Sequence, residues 1–217
     1  MAERIPVFPL GTVLVPYGIL PLHIFEQRYR TMMNDLLWDE GSGSPRLIDG
    51  GEEPEIGVVL IERGQEVGGG EQRSTLGTAA RFLDVERTAD GRFLAVVGGS
   101  RRFSVVRWLP DDPYPRAEVE ELADERWDRV GDERLADLEQ QVRGALALAA
   151  ELAEVPVLPE LSPDPMVALW QLCAAVPVGP FDRQRLLASR SIDERLNLLD
   201  QLARDAASLL AFRLGQT

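Results

Sequence analysis

Residues 5–29 read IPVFPLGTVLVPYGILPLHIFEQRY, and the way this run folds decides the architecture. From Ile5 to Phe25 it carries no formal charge, and on length alone it could be a membrane helix. Its prolines forbid that. Pro6, Pro9, Pro16 and Pro21 each remove a backbone donor and clash with a preceding carbonyl, while Gly11 and Gly18 weaken what remains. In lipid the freed backbone groups would have no water to turn to. The same prolines suit short extended segments joined by tight bends, with Val7, Val13 and Val15 as β-formers. A charged amphipathic run begins at Glu26, and Phe25, Tyr29, Met32, Met33, Leu36 and Leu37 recur at helical spacing up to Trp38. The chain therefore opens with short apolar strands that lead into a helix.

Working outward, residues 39–54 are turn-formers and acids and read as a long mobile loop. The run GVVLI within 55–62 reads as a buried strand, and 74–87 as a long strand. Gly68–Gly70 reads as a loop tip and not as an anion cradle. Ala89-Asp90-Gly91 is a hairpin signal, because Asp-Gly supplies positive φ angles. Phe93–Val97 and Arg102–Leu109 read as two further strand pieces. Arg116–Leu122 alternates, with Ala117, Val119 and Glu121 on one face.

The remainder reads as helical. In 131–155, Leu135, Leu138, Val142, Leu146, Ala149 and Leu152 form one stripe, and prolines keep 155–163 out of helix. Asp164-Pro165 is a helix start, Asp182 is placed to cap a short helix, and Ser191 with Glu194 fits a capping box. The last helix carries Ile192, Leu196, Leu199, Ala203, Ala206 and Leu209 on one face. Strands first and helices after predict an α+β protein, with a β-rich domain over 1–122 and a helical domain over 123–217.

Composition narrows the chemistry. All 23 basic residues are arginine, so no P-loop lysine, Schiff base or Ser-Lys dyad can form. The net charge is −13, and neither half carries the basic excess that duplex or anionic-membrane binding requires. Cys173 is alone, so no intramolecular disulfide forms, and it reads as a small core residue beside Leu169 and Trp170. No secretion signal or transmembrane span is read, so the expected location is the cytoplasm. One histidine and one cysteine make no zinc set, and neither a metal nor another cofactor is expected. His23 sits among apolar neighbours, which favours packing or capping over catalysis, and no catalytic residue is assigned. The candidate groove residues are His23, Phe25, Arg28, Tyr29, Arg101, Arg102 and Phe103, where arginines beside aromatics could hold carboxylates or flat groups. Arg28 also has a plain alternative, an ion pair with Glu26.

The order of motifs resembles the amino-terminal substrate-binding domain of Lon-type proteases. Ile5-Pro6-Val7-Phe8-Pro9-Leu10 matches the family's I-P-V-x-P-L strand, and Leu20–Tyr29 matches L-P-L-x-I-F-E-x-R-Y, with His23 and Gln27 at the variable places. The runs at 55–70, 76–93 and 98–106 follow in the family's order, closely over about 4–122 and more loosely through 182–187. The resemblance implies a PUA-like β pseudobarrel with one inserted helix, followed by a helical bundle. It implies a non-enzymatic peptide- or protein-recognition module without the ATPase and peptidase parts, an adaptor in protein quality control. The alternatives are a PUA-like nucleic-acid or nucleotide binder and a small-molecule sensor. Nucleic acid is the less favoured partner on charge, an unfolded or specific protein the more favoured.

Overall fold

A computed structural model describes residues 3–37, 54–66, 70–127, 132–153 and 158–216. The expected loop at 39–54, except Pro54, the glycine tip at 68–69 and part of the connector at 155–163 lie outside them. The chain divides into two compact units, Met1–Leu14 with Gly18–Leu122, and Val15–Tyr17 with Ala123–Thr217.

The first unit holds strands β1 (Glu3–Leu10), β2 (Ile19–Ile24), β3 (Glu55–Arg63), β4 (Gln72–Arg87), β5 (Phe93–Trp108) and β6 (Arg116–Leu122), with helix α1 (Gln27–Leu37) between β2 and β3. The sheet order is β2-β5-β4-β3-β1-β6, and β6 pairs back onto β5. Five strands thus close into a ring, and β2 hangs from β5 outside it. The β1–β3 pair is parallel and the other pairs are antiparallel.

Closure depends on bends. The sequence splits β5 at its Gly98-Gly99-Ser100 break, but the strand runs through it. Ala79 pairs with Arg101 and Ala80 with Gly99, so Ser100 is an extra residue, and its hydroxyl donates to the Ala79 carbonyl at 3.0 Å. Leu83 on β4 and Val106 on β5 are extra residues in the same sense. Such bulges bend a strand and break its alternation, which is why Leu83 and Val106 are exposed.

Two cores follow. Ile5, Val7, Val59, Ala79, Phe103, Ala117 and Val119 fill the ring. On the other face of the sheet, Phe8, Leu22, Ile24, Ile56, Val58, Phe93 and Val97 meet Tyr29, Met32, Met33 and Leu37 of α1. A strand buried on both faces reads as an unbroken apolar run, which accounts for the uncharged start of the chain. Val13–Val15 is not a strand. It is bound instead through the Leu14 carbonyl, which accepts from the Thr78 hydroxyl at 2.7 Å. The Phe103 ring lies close over two glycines. A Cβ on Gly57 would come within 2.8 Å of the Phe103 ring, and one on Gly77 within 2.7 Å of the ring and 2.5 Å of the Val58 carbonyl oxygen.

The second unit contains α2 (Asp132–Ala150), α3 (Pro165–Ala175), α4 (Pro180–Ala188) and α5 (Ile192–Leu214). Helix α2 packs on α3 and α5, and α4 on α5. Leu138, Val142, Leu146 and Ala149 are buried on α2, and Leu196, Leu199, Ala203 and Ala206 on α5, whereas Leu152 and Leu209 at the ends of the expected stripes are exposed. Asp164 caps α3 through Met166 N–H and Val167 N–H. Ser191 caps α5 at Glu194 N–H, while the Glu194 carboxylate accepts from Arg190 N–H, one residue before the cap. Asp182 does not cap α4. Gly179 holds that place, because Pro180 takes the first helical position, and Asp182 lies in the first turn.

A charged residue pins this unit. Arg195 is 1% exposed, its guanidinium stacks 3.7 Å from the Trp170 ring, and it donates to Asp124 at 2.9 Å and Ser189 Oγ at 3.0 Å. Trp170 Nε1–H donates to the other Asp124 oxygen at 2.8 Å. Cys173 is fully buried in α3, and burial pushes its thiol up to about 12, so it is a core residue and not a nucleophile.

Two predictions test these packing arguments. Gly77→Ala should lower unfolding stability by about 1–3 kcal/mol, because the methyl has no room. Gly144→Ala, in α2 where a Cβ meets nothing, should raise it by about 0.5–1 kcal/mol; urea denaturation checks both. Asp124→Ala should cost about 3 kcal/mol by stranding the buried guanidinium, and the double variant Asp124→Ala, Arg195→Met should recover much of that loss.

Candidate functional site

A cleft of about 340 Å³ opens in the first unit between the end of β1, strand β2 and the start of α1. It lies where two strand edges have no pairing partner among the described residues. Among the described residues, strand β2 pairs only with β5. Gly18 accepts from Gly99 N–H, so by antiparallel alternation the Pro21 carbonyl and both backbone polar groups of His23 point away from β5. On β1, pairing with β6 covers Glu3–Pro6 and one further bond reaches from Val7 N–H to Pro115, which leaves Phe8–Leu10 without a strand on that side among the described residues. Pro9 and Pro21 sit on these two edges, where a missing N–H costs no ladder bond.

The walls are apolar, from Phe8, Leu10, Leu20, Leu22, Ile24 and Phe25. Tyr29 lines the cleft and stacks on Phe8 with ring centroids 4.1 Å apart. Tyr29 is 2% exposed, and its hydroxyl has no hydrogen-bond partner among the described residues. Burial pushes this hydroxyl well above the ordinary tyrosine range, with the Arg28 charge acting against the shift, so it stays protonated and able to donate at neutral pH. The charged lining groups are carboxylates, Glu26 and Glu66. Glu66 accepts from Gly11 N–H.

The candidate residues distribute as follows. His23 and Phe25 are exposed and line the cleft, with ring centroids 5.8 Å apart. His23 is therefore not a packed core residue, because β2 alternation turns it outward between buried Leu22 and Ile24. Phe25 precedes α1 instead of joining its stripe. Arg28 lies 4.5 Å from the centroid of the Tyr29 ring, 3.4 Å from the Glu26 carboxylate, and donates to the Glu66 carbonyl at 3.3 Å. Arg102 and Phe103 are buried and line neither this cleft nor the one below. The sequence reading passed over Glu26 and Glu66 as site residues, although the strand prolines could have marked the edges.

Arg101 lines a second, more open cleft of about 790 Å³ with Glu3, Glu55 and Arg81. Its charges are already compensated: Arg101 reaches Glu3 and Glu55 at 2.8 Å, and Arg81 reaches Glu55 at 3.0 Å. Burial opposes the Glu55 charge, but hydrogen bonds from Arg81 and Arg101 outweigh it and hold the carboxyl below its ordinary range. A carboxyl depressed in the folded state stabilises above its unfolded pKa and loses that contribution as pH falls. The stability gap between wild type and Glu55→Gln should therefore be full above about pH 4.5 and shrink below it, as read from urea midpoints across pH.

Among the described residues no group of histidine, cysteine and acidic side chains could hold a metal ion, and no helix is long and apolar enough to cross a membrane.

Comparison with known proteins is consistent along the chain. The family model described as the ATP-dependent protease La (LON) substrate-binding domain matches residues 4–204. A Lon protease of Anaeromyxobacter dehalogenans is 29% identical over 91% of this chain and 22% of its own length. Lon protease 2 of Myxococcus xanthus is 27% identical over 92% of this chain and 23% of its own length. The chain thus spans less than a quarter of these relatives. Among solved structures, a Lon N-terminal domain protein from Xanthomonas campestris aligns with TM-score 0.57 and 23% identity over 92% of this chain and 96% of its own. The N-terminal domain of a Mycobacterium avium complex Lon protease aligns with TM-score 0.60 and 19% identity over 94% and 99%. At these identities the two structures establish the α+β fold.

Proposed function

The chain belongs to the ATP-dependent protease La (LON) substrate-binding domain family, and we propose that it holds extended, apolar segments of unfolded proteins in the cleft between β1 and β2. The observation that carries this reading is the pair of unpaired strand edges beside an apolar wall. An extended segment laid along β2 would take main-chain hydrogen bonds at His23 and the Pro21 carbonyl. Its alternate side chains would enter the cleft against Phe8, Leu22 and Phe25. Main-chain bonding gives affinity with loose side-chain choice, which suits a domain that must accept many sequences. The proline edges supply few donors, so the same strands resist pairing with one another.

In this role the domain binds and does no bond-breaking of its own. It acts as an adaptor in protein quality control, presenting a segment to a peptidase located elsewhere, in this chain's own extension or in a partner. A phosphate backbone is disfavoured in the cleft, since its charged lining groups are carboxylates.

The test is a titration of the purified protein with a reduced, unfolded polypeptide and with an RNA pool, at two salt concentrations, followed by tryptophan fluorescence. Saturable, salt-tolerant binding to the polypeptide is expected. Phe25→Ala should weaken it by about 1–2 kcal/mol, because Phe25 is an exposed aromatic anchor whose truncation opens no core cavity. Binding to RNA alone, or an unchanged affinity in Phe25→Ala, would remove the cleft from consideration.

A further inference from the structure

The polar end of the cleft narrows the class of segment that fits it. Among the described residues its charged lining groups are Glu26 and Glu66, and no arginine lines it. Arg28 partly offsets Glu26 at 3.4 Å, and its other contacts are the Tyr29 ring and the Glu66 backbone carbonyl, so among the described residues the Glu66 carboxylate has the Gly11 N–H as its partner and no ion pair. Behind Tyr29, Arg73 is shared by Glu71 and Asp111, and the second Glu71 oxygen is buried without a partner among the described residues. Among the described residues, two carboxylates line this end, Glu26 and Glu66, and one guanidinium, Arg28, is paired with them through Glu26, a local excess of one negative charge. The buried Tyr29 hydroxyl, also without a partner among the described residues, offers a further polar contact beside them.

We infer that the cleft selects extended apolar segments that carry a lysine or arginine next to the apolar anchor, the cation lying against Glu66 and Glu26. This rests on the cleft being the segment-binding site. The apolar walls take the anchor and the stem of the basic side chain, while its charged head stays at the wet, acidic end. Charge complementarity of this kind sets preference among partners more than it sets total affinity. A glutamate at the same place would meet like charge and lose the hydration it had in water.

The experiment uses labelled peptides with one shared apolar core, ending in Lys, Gln or Glu, and fluorescence anisotropy at low and moderate salt. Binding should fall in the order Lys, Gln, Glu, with about a fivefold gap between the ends that narrows as salt rises. Glu66→Gln should shrink that gap, read as the ratio of Lys-peptide to Glu-peptide affinity within the variant, whatever happens to the binding of the three peptides together. The variant keeps an oxygen to accept from Gly11 N–H, so the fold is retained. Arg28→Gln should widen the gap. Equal binding of all three peptides, or a gap that Glu66→Gln leaves intact, overturns the inference while leaving segment binding in place. Failure of every peptide to bind overturns the segment-binding reading itself, and the inference with it.

Discussion

The bend in β5 at Ser100 is the constraint on which the first unit depends. Before it, Phe93–Gly98 carries β2 on one side and the end of β4 on the other. After it, Arg101–Trp108 carries β6 and the start of β4. A straight strand could serve only one of these pairings along its length. The extra residue lets one strand close the ring and also support β2 outside it. The Ser100 hydroxyl satisfies the Ala79 carbonyl where the ladder is interrupted, so the irregularity leaves that acceptor paired.

The cleft is a by-product of that closure. A ring of five strands has no free edge, but β2 is a sixth strand, and β1 outlasts its pairing with β6. Two edges remain, and they meet at the start of α1. The protein leaves prolines on both, apolar side chains between them and carboxylates at one end. Sheet edges are hazards for aggregation, and these edges are kept short and poor in donors, with carboxylates at one end of the cleft. In the proposed role, the same properties would suit the edges to weak, reversible capture of extended chain.

The two units are held by different physics. The ring has Phe103 pressed over Gly57 and Gly77, a contact of shape in which a single methyl does not fit. The helical unit has Arg195 between Trp170 and Asp124, a contact of charge and stacking that must be complete to be tolerated. Local sequence announces neither. A glycine in a strand signals close approach without naming the neighbour, and an arginine at a helical core position looks like an interruption of the stripe until its partners are known.

Sequence alone determined the fold class and most of the elements. Four prolines in an uncharged run excluded a membrane helix, the motif order matched one family, and helix starts at Asp164 and Ser191 follow from local capping chemistry. These signals are short-range, and period and capping carry them. It also placed His23, Phe25 and Tyr29 among the candidate residues, and all three line the cleft. What tertiary structure alone decided depends on pairing between distant segments. The continuity of β5 through its glycines, the burial of Arg102 and Phe103, and the outward turn of His23 follow from register and from bulges, which shift a side chain from one face of a sheet to the other by a single residue. Glu66 reaches the cleft by a fold that brings it to Gly11, a juxtaposition with no trace in local pattern, because it is set by which strands pair and not by what any one strand contains.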